Sequence, residues 1–334
     1  MSHDVTGKVA ASPVRANRKT RRAGRAGWVP SALLVGALGT VVPLTLATTP
    51  AGATVPTVSG YTLVTSQGGT FNFGSAPNAG GAIGVANGPV VGVAPTPTGK
   101  GYWVATSTGG VYTFGDATFY GSLGAITLNS PIVGIVPTAD GLGYYLVAGD
   151  GGVFTFGDAK FYGSAGNLTL ASPVVGMSVT STGKGYYLVG ADGGVFTYGD
   201  AVFAGTLSDT IGQLDGPAVG IAANPTGAGY LIATAQGAVV DFGAAPFYGS
   251  PVLSGVTPVE PLVSIAYTPD GTGYWVAAAD GGVFTFNQTT TVGTGKNTSL
   301  VTTGNAHFFG SVPAVIGTSG LPLPTTVVGF APTL

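Results

Sequence analysis

Gly143-Tyr144-Tyr145-Leu146-Val147-Ala148-Gly149-Asp150-Gly151-Gly152-Val153-Phe154-Thr155-Phe156-Gly157-Asp158-Ala159-Lys160-Phe161-Tyr162-Gly163 is the stretch that decides the fold. Two β-branched and aromatic runs flank Asp150-Gly151-Gly152, and a third run, Lys160 to Gly163, follows Gly157-Asp158-Ala159. Asp-Gly between such runs marks a hairpin, because a type I′ turn needs positive φ at both central residues. Upstream, Pro131 precedes Ile132-Val133-Gly134-Ile135-Val136, and a turn through Ala139-Asp140-Gly141 leads into Tyr144. The unit therefore reads as four short strands of a meander.

The unit is repeated. Gly60-Tyr61, Gly101-Tyr102, Gly143-Tyr144, Gly185-Tyr186, Gly229-Tyr230 and Gly273-Tyr274 follow one another at 41, 42, 42, 44 and 44 residues. Twelve residues after each of those Tyr stands an aromatic: Phe73, Phe114, Phe156, Tyr198, Phe242 and Phe286. Four strands in about 42 residues is the size of one β-propeller blade. The first unit opens at Val58-Ser59-Gly60 without the Val-Val-Gly strand of the others, and Val327-Val328-Gly329-Phe330-Ala331-Pro332-Thr333 closely copies Val90-Val91-Gly92-Val93-Ala94-Pro95-Thr96. The expectation is an all-β, six-bladed propeller of four-stranded repeats, its ring closed by that last strand pairing into the first blade so that no sheet edge is left between first and last units. Gly92, Gly134, Gly176, Gly220, Ser264 and Gly329 hold one position of the innermost strands, where a small residue is expected beside a crowded central channel. Their spacings of 42, 42, 44 and 44 jump to 65 at the end, and the excess falls in a Thr, Asn and Gly-rich inserted loop at about residues 287–306.

Composition agrees with a packed repeat. The 334 residues include 59 Gly and only 7% charged residues, yet 45% are hydrophobic and 33 are aromatic, enough to bury a large core. There is no Cys, which removes disulfides, thiol catalysis and Cys-ligated zinc. The net charge of −2 hides an uneven distribution: Lys8, Arg15, Arg18, Lys19, Arg21, Arg22 and Arg25 precede an apolar stretch from Trp28 to Ala47, and Ala51-Gly52-Ala53 follows. Basic, apolar and small-x-small segments in that order describe an export signal over residues 1–53, which makes 54–334 a secreted or envelope-associated domain. The alternative is an uncleaved N-terminal helix anchoring the chain, the only route to a membrane. Arg21-Arg22 raises a twin-arginine route, without the apolar pair expected after it. Beyond residue 53, four Lys face twelve acidic residues and no Arg remains, which sets nucleic acid aside as a partner.

The unit Gly-Tyr-Trp-Val-x5-Gly-Gly-Val-x-Thr-Phe-Gly-Asp-Ala-x-Phe-Tyr-Gly-Ser at 101 to 122, with small changes at 143 to 164 and 185 to 205, resembles a repeat of secreted proteins of high-GC Gram-positive bacteria. The resemblance covers nearly all of 58 to 334. It implies propeller-like surface modules that stand alone or beside cell-wall hydrolase, peptidase or esterase domains, and it brings no site residue to this chain. An aromatic-rich solenoid of the choline-binding type would instead need a period of about 20 residues.

Candidate chemistry falls at repeat positions. Asp116, Asp158 and Asp200 occupy the turn after the third strand, and Asp150, Asp192 and Asp280 the turn before it. Asp favours turns through its own backbone bonds, and one carboxylate per blade does not converge on a Ca²⁺ ion, so no metal or cofactor is assigned. For hydrolysis, the only Glu and His beyond residue 53 are Glu260 and His307, and no base, nucleophile and orienter can be named together. The reading is therefore non-catalytic: an extracellular recognition module for cell-envelope glycan or a surface protein, with a ligand-free structural surface protein as the alternative and a secreted hydrolase behind both. The candidate binding residues are the polar ring of second-to-third-strand turns, Gln67, Thr108, Asp150, Asp192, Gln236 and Asp280. Trp103 and Trp275 share a position from which they could stack on sugars or pack a core.

Overall fold

In the computed structural model, which describes residues 58–209, 216–294, 297–312 and 326–333, the twelve-residue offset is the register of a hairpin. Tyr61 faces Phe73, Tyr102 faces Phe114, Tyr144 faces Phe156, Tyr186 faces Tyr198, Tyr230 faces Phe242 and Tyr274 faces Phe286 across neighbouring strands. Their ring centroids stand 5.4 to 5.6 Å apart, a distance at which aromatic pairs attract beyond simple burial. The expected export segment, residues 1–53, lies outside the described residues.

In chain order the strands are β1 (Gly60–Thr65), β2 (Thr70–Gly74), β3 (Val90–Pro95), β4 (Tyr102–Thr106), β5 (Val111–Phe114), β6 (Ile132–Pro137), β7 (Gly143–Ala148) and β8 (Val153–Gly157). There follow β9 (Val174–Val179), β10 (Gly185–Gly190), β11 (Val195–Gly199), β12 (Ala218–Ala223), β13 (Tyr230–Thr234), β14 (Val239–Phe242), β15 (Leu262–Tyr267), β16 (Gly273–Ala278) and β17 (Val283–Asn287). A hairpin, β18 (Thr289–Thr294) and β19 (Asn297–Thr302), precedes β20 (Val327–Thr333). They form six three-stranded antiparallel sheets: β3 to β5, β6 to β8, β9 to β11, β12 to β14, β15 to β17, and β20-β1-β2, in which β20 pairs with β1. The middle strand of each sheet is buried along its whole length.

Among the described residues, the fourth strand expected in each unit is absent. The segment Lys160 to Gly163 and its counterparts carry no ladder, because the next unit's Gly-Tyr tyrosine takes up their backbone groups. The Tyr144 hydroxyl donates to Gly121 O at 2.5 Å and accepts from Tyr120 N–H at 3.2 Å. Tyr186 does the same for Gly163 at 2.5 Å and Tyr162 at 3.1 Å, and Tyr230 for Gly205 at 2.5 Å and Ala204 at 3.2 Å. Tyr61, Tyr102 and Tyr274 clasp the carbonyls of Gly310, Gly80 and Gly249. The clasped glycine has left extended geometry: Gly163 sits at φ 136°, and a Cβ there would stand 2.5 Å from the Tyr198 ring. Each such tail lies between its own sheet and the next.

The inserted loop is a hairpin grown from β17. Asn287 closes its base, accepting from Ala306 N–H at 2.7 Å and donating to Ala306 O at 2.9 Å. Asn305 bonds the Asp270 carboxylate of the preceding turn.

Six apolar clusters form the core, and each spans two neighbouring sheets; Trp103 packs with Tyr144, Tyr145 with Tyr186, and Trp275 with Phe330. The first strands lie side by side: β3 beside β6, β6 beside β9, β9 beside β12, β12 beside β15, β15 beside β20 and β20 beside β3. Their matched small residues are needed there. A Cβ on Gly176 would come within 3.3 Å of Gly220 Cα, and one on Gly329 within 3.3 Å of Gly92 Cα.

Two backbone bonds recur at the end of every middle strand. Gly149 N–H donates to Pro131 O in its own sheet, and Gly149 O accepts from Val174 N–H at the start of the next, both at 2.9 Å. Ser107 links Pro89 to Ile132, Ala191 links Pro173 to Ala218, Ala235 links Pro217 to Leu262, Ala279 links Pro261 to Val327, and Ser66 links Thr326 to Val90 in the same way, at 2.8 to 2.9 Å.

Candidate binding face at the second turns

The residue after each of these linkers is one of the six expected binding residues. Gln67, Thr108, Asp150, Asp192, Gln236 and Asp280 stand one per sheet, each immediately before a glycine with φ between 79° and 101°. A non-glycine residue would strain the backbone at that φ, so the turn presents the preceding side chain at one fixed place.

The six are not equivalent. Asp150, Asp192 and Asp280 turn their carboxylates inward, each accepting from the N–H two residues on: Gly152 at 2.9 Å, Gly194 at 3.0 Å and Gly282 at 2.8 Å. Those are Asx turns, which stabilise the local chain. Thr108 donates to Asn87 Oδ1 at 2.9 Å, alongside Thr106 at 3.0 Å. Gln67 and Gln236 line clefts instead. The first cleft, of about 370 Å³, is bounded by Thr65, Gln67, Thr70, Phe71, Asn78 and Ile83. The second, of about 580 Å³, is bounded by Gly216, Gln236, Val252, Gly255, Val256 and Thr257.

The second cleft has a local origin in the sequence. One wall is a single 3-10 turn, Val252–Ser254, ended by Gly255 at φ 72°, with Val256 and Thr257 following it. Val252 and Val256 are exposed and line the cleft with Gln236. Both clefts combine amide and hydroxyl groups with apolar walls, and the described residues that line them carry no ionisable side chain.

A third cavity, of about 200 Å³, runs between the first strands, lined by Val91, Val133, Val175, Val219, Val263 and Val328 with the small residues of each strand. Among the described residues, Ser264 is the only polar side chain lining it.

At the opposite end of the sheets, carboxylates serve the turns. Asp116 accepts from Thr96 at 2.9 Å and Thr98 at 2.5 Å, Asp158 from Thr138 at 3.2 Å, and Asp200 from Thr180 at 2.8 Å and from Thr182. The Thr182 hydroxyl holds the Asp200 carboxyl below the usual range, as the Leu142 amide does for Asp140. At Asp270, burial pushes the pKa upward, but bonds from Thr268, Thr272 and Asn305 outweigh it and leave the carboxyl lowered. Among the described residues, no group of three or more His, Asp or Glu side chains could hold a metal ion. His307 packs edge-on against Phe309, with centroids 6.2 Å apart.

Trp103 and Trp275 are core residues, 1% and 0% exposed. Their ring N–H groups donate to Thr118 O at 2.7 Å and His307 O at 2.9 Å. One residue beyond those two carbonyls stand exposed phenylalanines, Phe119 and Phe308. Repeat alignment could have singled them out, since Phe161 and Phe203 hold the same position.

No protein-family model matches the chain, and no curated protein sequence matches it.

Proposed function

We propose that the six sheets are the blades of a closed β-propeller and that it acts outside the cell as a non-catalytic recognition module, binding envelope glycan or a surface protein through the second-turn face. For closure, the support is the circuit of backbone links: followed from Ser66 through Ser107, Gly149, Ala191, Ala235 and Ala279, they return to Ser66. The basic head and apolar stretch before residue 54 support export.

The observation that carries the binding reading is the break in symmetry at Gln67 and Gln236. A repeat kept only for its architecture would use the same turn six times, as it does at Asp150, Asp192 and Asp280. Two units instead open clefts in which an amide, able to donate and accept together, stands beside apolar wall. That chemistry suits an uncharged, hydroxyl-bearing or amide-bearing ligand such as an N-acetylated sugar.

The test is a panel of envelope glycans read by thermal shift on the full chain, since a ligand that binds only the native state raises its melting temperature. A rise with at least one glycan that Gln67→Ala and Gln236→Ala both diminish is the expected result. No rise with any glycan, together with capture of a defined surface protein through the same residues, would leave only the protein-binding form.

A further inference from the structure

The first unit departs from the others at three positions that meet in one place. Thr70 stands where the other five have Val111, Val153, Val195, Val239 and Val283. Asn78 stands where they have Phe119, Phe161, Phe203, Phe247 and Phe308. Ile83, 69% exposed, holds the position that is Gly124 and Gly166 in the next two units. All three line the cleft of Gln67, together with Phe71.

The backbone beneath these exchanges is that of the other units. Ala82 N–H donates to Gly68 O at 2.8 Å and ties the tail to the second turn, as Leu123 does to Gly109 at 2.8 Å and Ala165 to Gly151 at 2.9 Å. Gly80, two residues beyond Asn78, is clasped by Tyr102 just as Gly121 is by Tyr144. A common scaffold therefore holds a set of side chains found in this unit alone, and it fixes the walls of the cleft before any ligand arrives.

The chemistry of those side chains limits what the cleft takes. The amides of Gln67 and Asn78 hold no hydrogen bond among the described residues, whereas Asn72 and Asn87 use theirs on Thr62, Thr106 and Thr108. Two open primary amides offer donors and acceptors side by side, Thr70 adds a hydroxyl, and Phe71 and Ile83 form apolar wall. The described lining residues carry no charge, so a carboxylate or phosphate would lose its water here without gaining a partner. At about 370 Å³ the cleft lies near the small end of ligand pockets, roughly 300–1,000 Å³, and suits one compact ring better than an extended chain. A neutral sugar bearing an acetamido group has a counterpart for each feature: N–H and C=O for the amides, a methyl for the wall and hydroxyls for Thr70.

We infer that the cleft between Gln67 and Asn78 binds a single N-acetylated hexose by its acetamido group, and that Asn78 and Thr70 set the preference for that group over a plain hydroxyl. The inference rests on the recognition reading above and assigns the ligand of this one cleft.

Isothermal titration calorimetry on the full chain tests this with N,N′-diacetylchitobiose and with cellobiose, which carries hydroxyls in place of the acetamido groups. The acetylated disaccharide should bind about tenfold more tightly, the scale of one or two neutral hydrogen bonds. Asn78→Phe and Thr70→Val each install the residue of the other five units, so both variants should melt as the natural sequence does. The first should weaken binding by about tenfold or more and the second by a few-fold. Equal affinity for the two disaccharides overturns the inference, as does undiminished binding by Asn78→Phe. If both variants bind diacetylchitobiose normally and Gln236→Ala abolishes that binding, the inference falls and the recognition reading stands. Tighter binding of the blocked dipeptide acetyl-alanyl-alanine amide than of diacetylchitobiose, lost in Asn78→Phe, would make the occupant a peptide and also overturn it.

Discussion

The tyrosine of each Gly-Tyr pair does three things from one side chain. Tyr144 is fully buried, its ring packs on Phe156 and Trp103, and its hydroxyl ties down the tail of the preceding unit. Tyr144→Phe keeps the ring and strands the Gly121 carbonyl and Tyr120 amide, so it should cost about 1–3 kcal/mol in urea unfolding. A cost below about 0.5 kcal/mol would mean that water replaces the hydroxyl without loss. The same burial has a pH signature. Desolvation raises the Tyr145 pKa to about 12, and it also pushes Tyr267 and Tyr274 upward. A tyrosine whose pKa is higher folded than unfolded favours the native state fully below about pH 10, and that share of stability is lost as pH rises from there. Thermal melts should therefore hold steady from neutral pH to about 9.5 and fall steeply above pH 10. A flat profile to pH 12 would contradict the burial.

Strands and tails show where pattern reading succeeds and where it stops. The hairpin register was legible because its signal is local: a twelve-residue spacing between two aromatics is a cross-strand pair. The second turns were legible for the same reason, since Asp-Gly dictates backbone shape. The tail from Lys160 to Gly163 has strand-like residues, yet its partner is a hydroxyl on the next repeat, and no propensity records a side chain 24 residues away. Repeat alignment picks out the position of Phe161, but its exposure is set by the bond from Tyr145 to the preceding carbonyl, which no local pattern records. Gln67 and Gln236 could be named from turn position, but their clefts depend on neighbouring segments such as Val252–Ser254. The hairpin β18 to β19 was read as an inserted loop, its Thr-rich composition masking paired strands. Because the second, third and fourth units join the same two positions by a short Gly-Asp-Ala turn, the hairpin should be dispensable. Replacing residues 287–306 with Gly-Asp-Ala, the turn used at 157–159, should leave the melting temperature unchanged or raised, since shortening a loop relieves closure entropy. A drop of more than about 8 °C, worth over 2 kcal/mol at this size, would assign the hairpin a structural role.

At the scale of the whole molecule, β20 is the strand on which the first sheet depends. It pairs with β1 from Val327 to Thr333, and Val327 and Phe330 belong to the cluster that joins the first and sixth sheets. Removing residues 326–334 exposes the β1 edge, deletes the links at Ser66 and Ala279 and opens that cluster. Such a chain should lose its single cooperative melt and bind a hydrophobic dye before heating, the behaviour of loosened packing. A sharp two-state melt with unchanged midpoint would show that the remaining five sheets stand without it.

The links at Ser66, Ser107, Gly149, Ala191, Ala235 and Ala279 are made by main chain alone. A carbonyl and an amide take no account of the side chain attached beside them, so the links themselves hold whichever residue sits at the next position, and the side chain there acts only on its own turn. That indifference shows in the sequence itself, where the adjoining residues are Gln67, Thr108, Asp150, Asp192, Gln236 and Asp280. Each turn can therefore change its side chain while the links to the other five stay as they are.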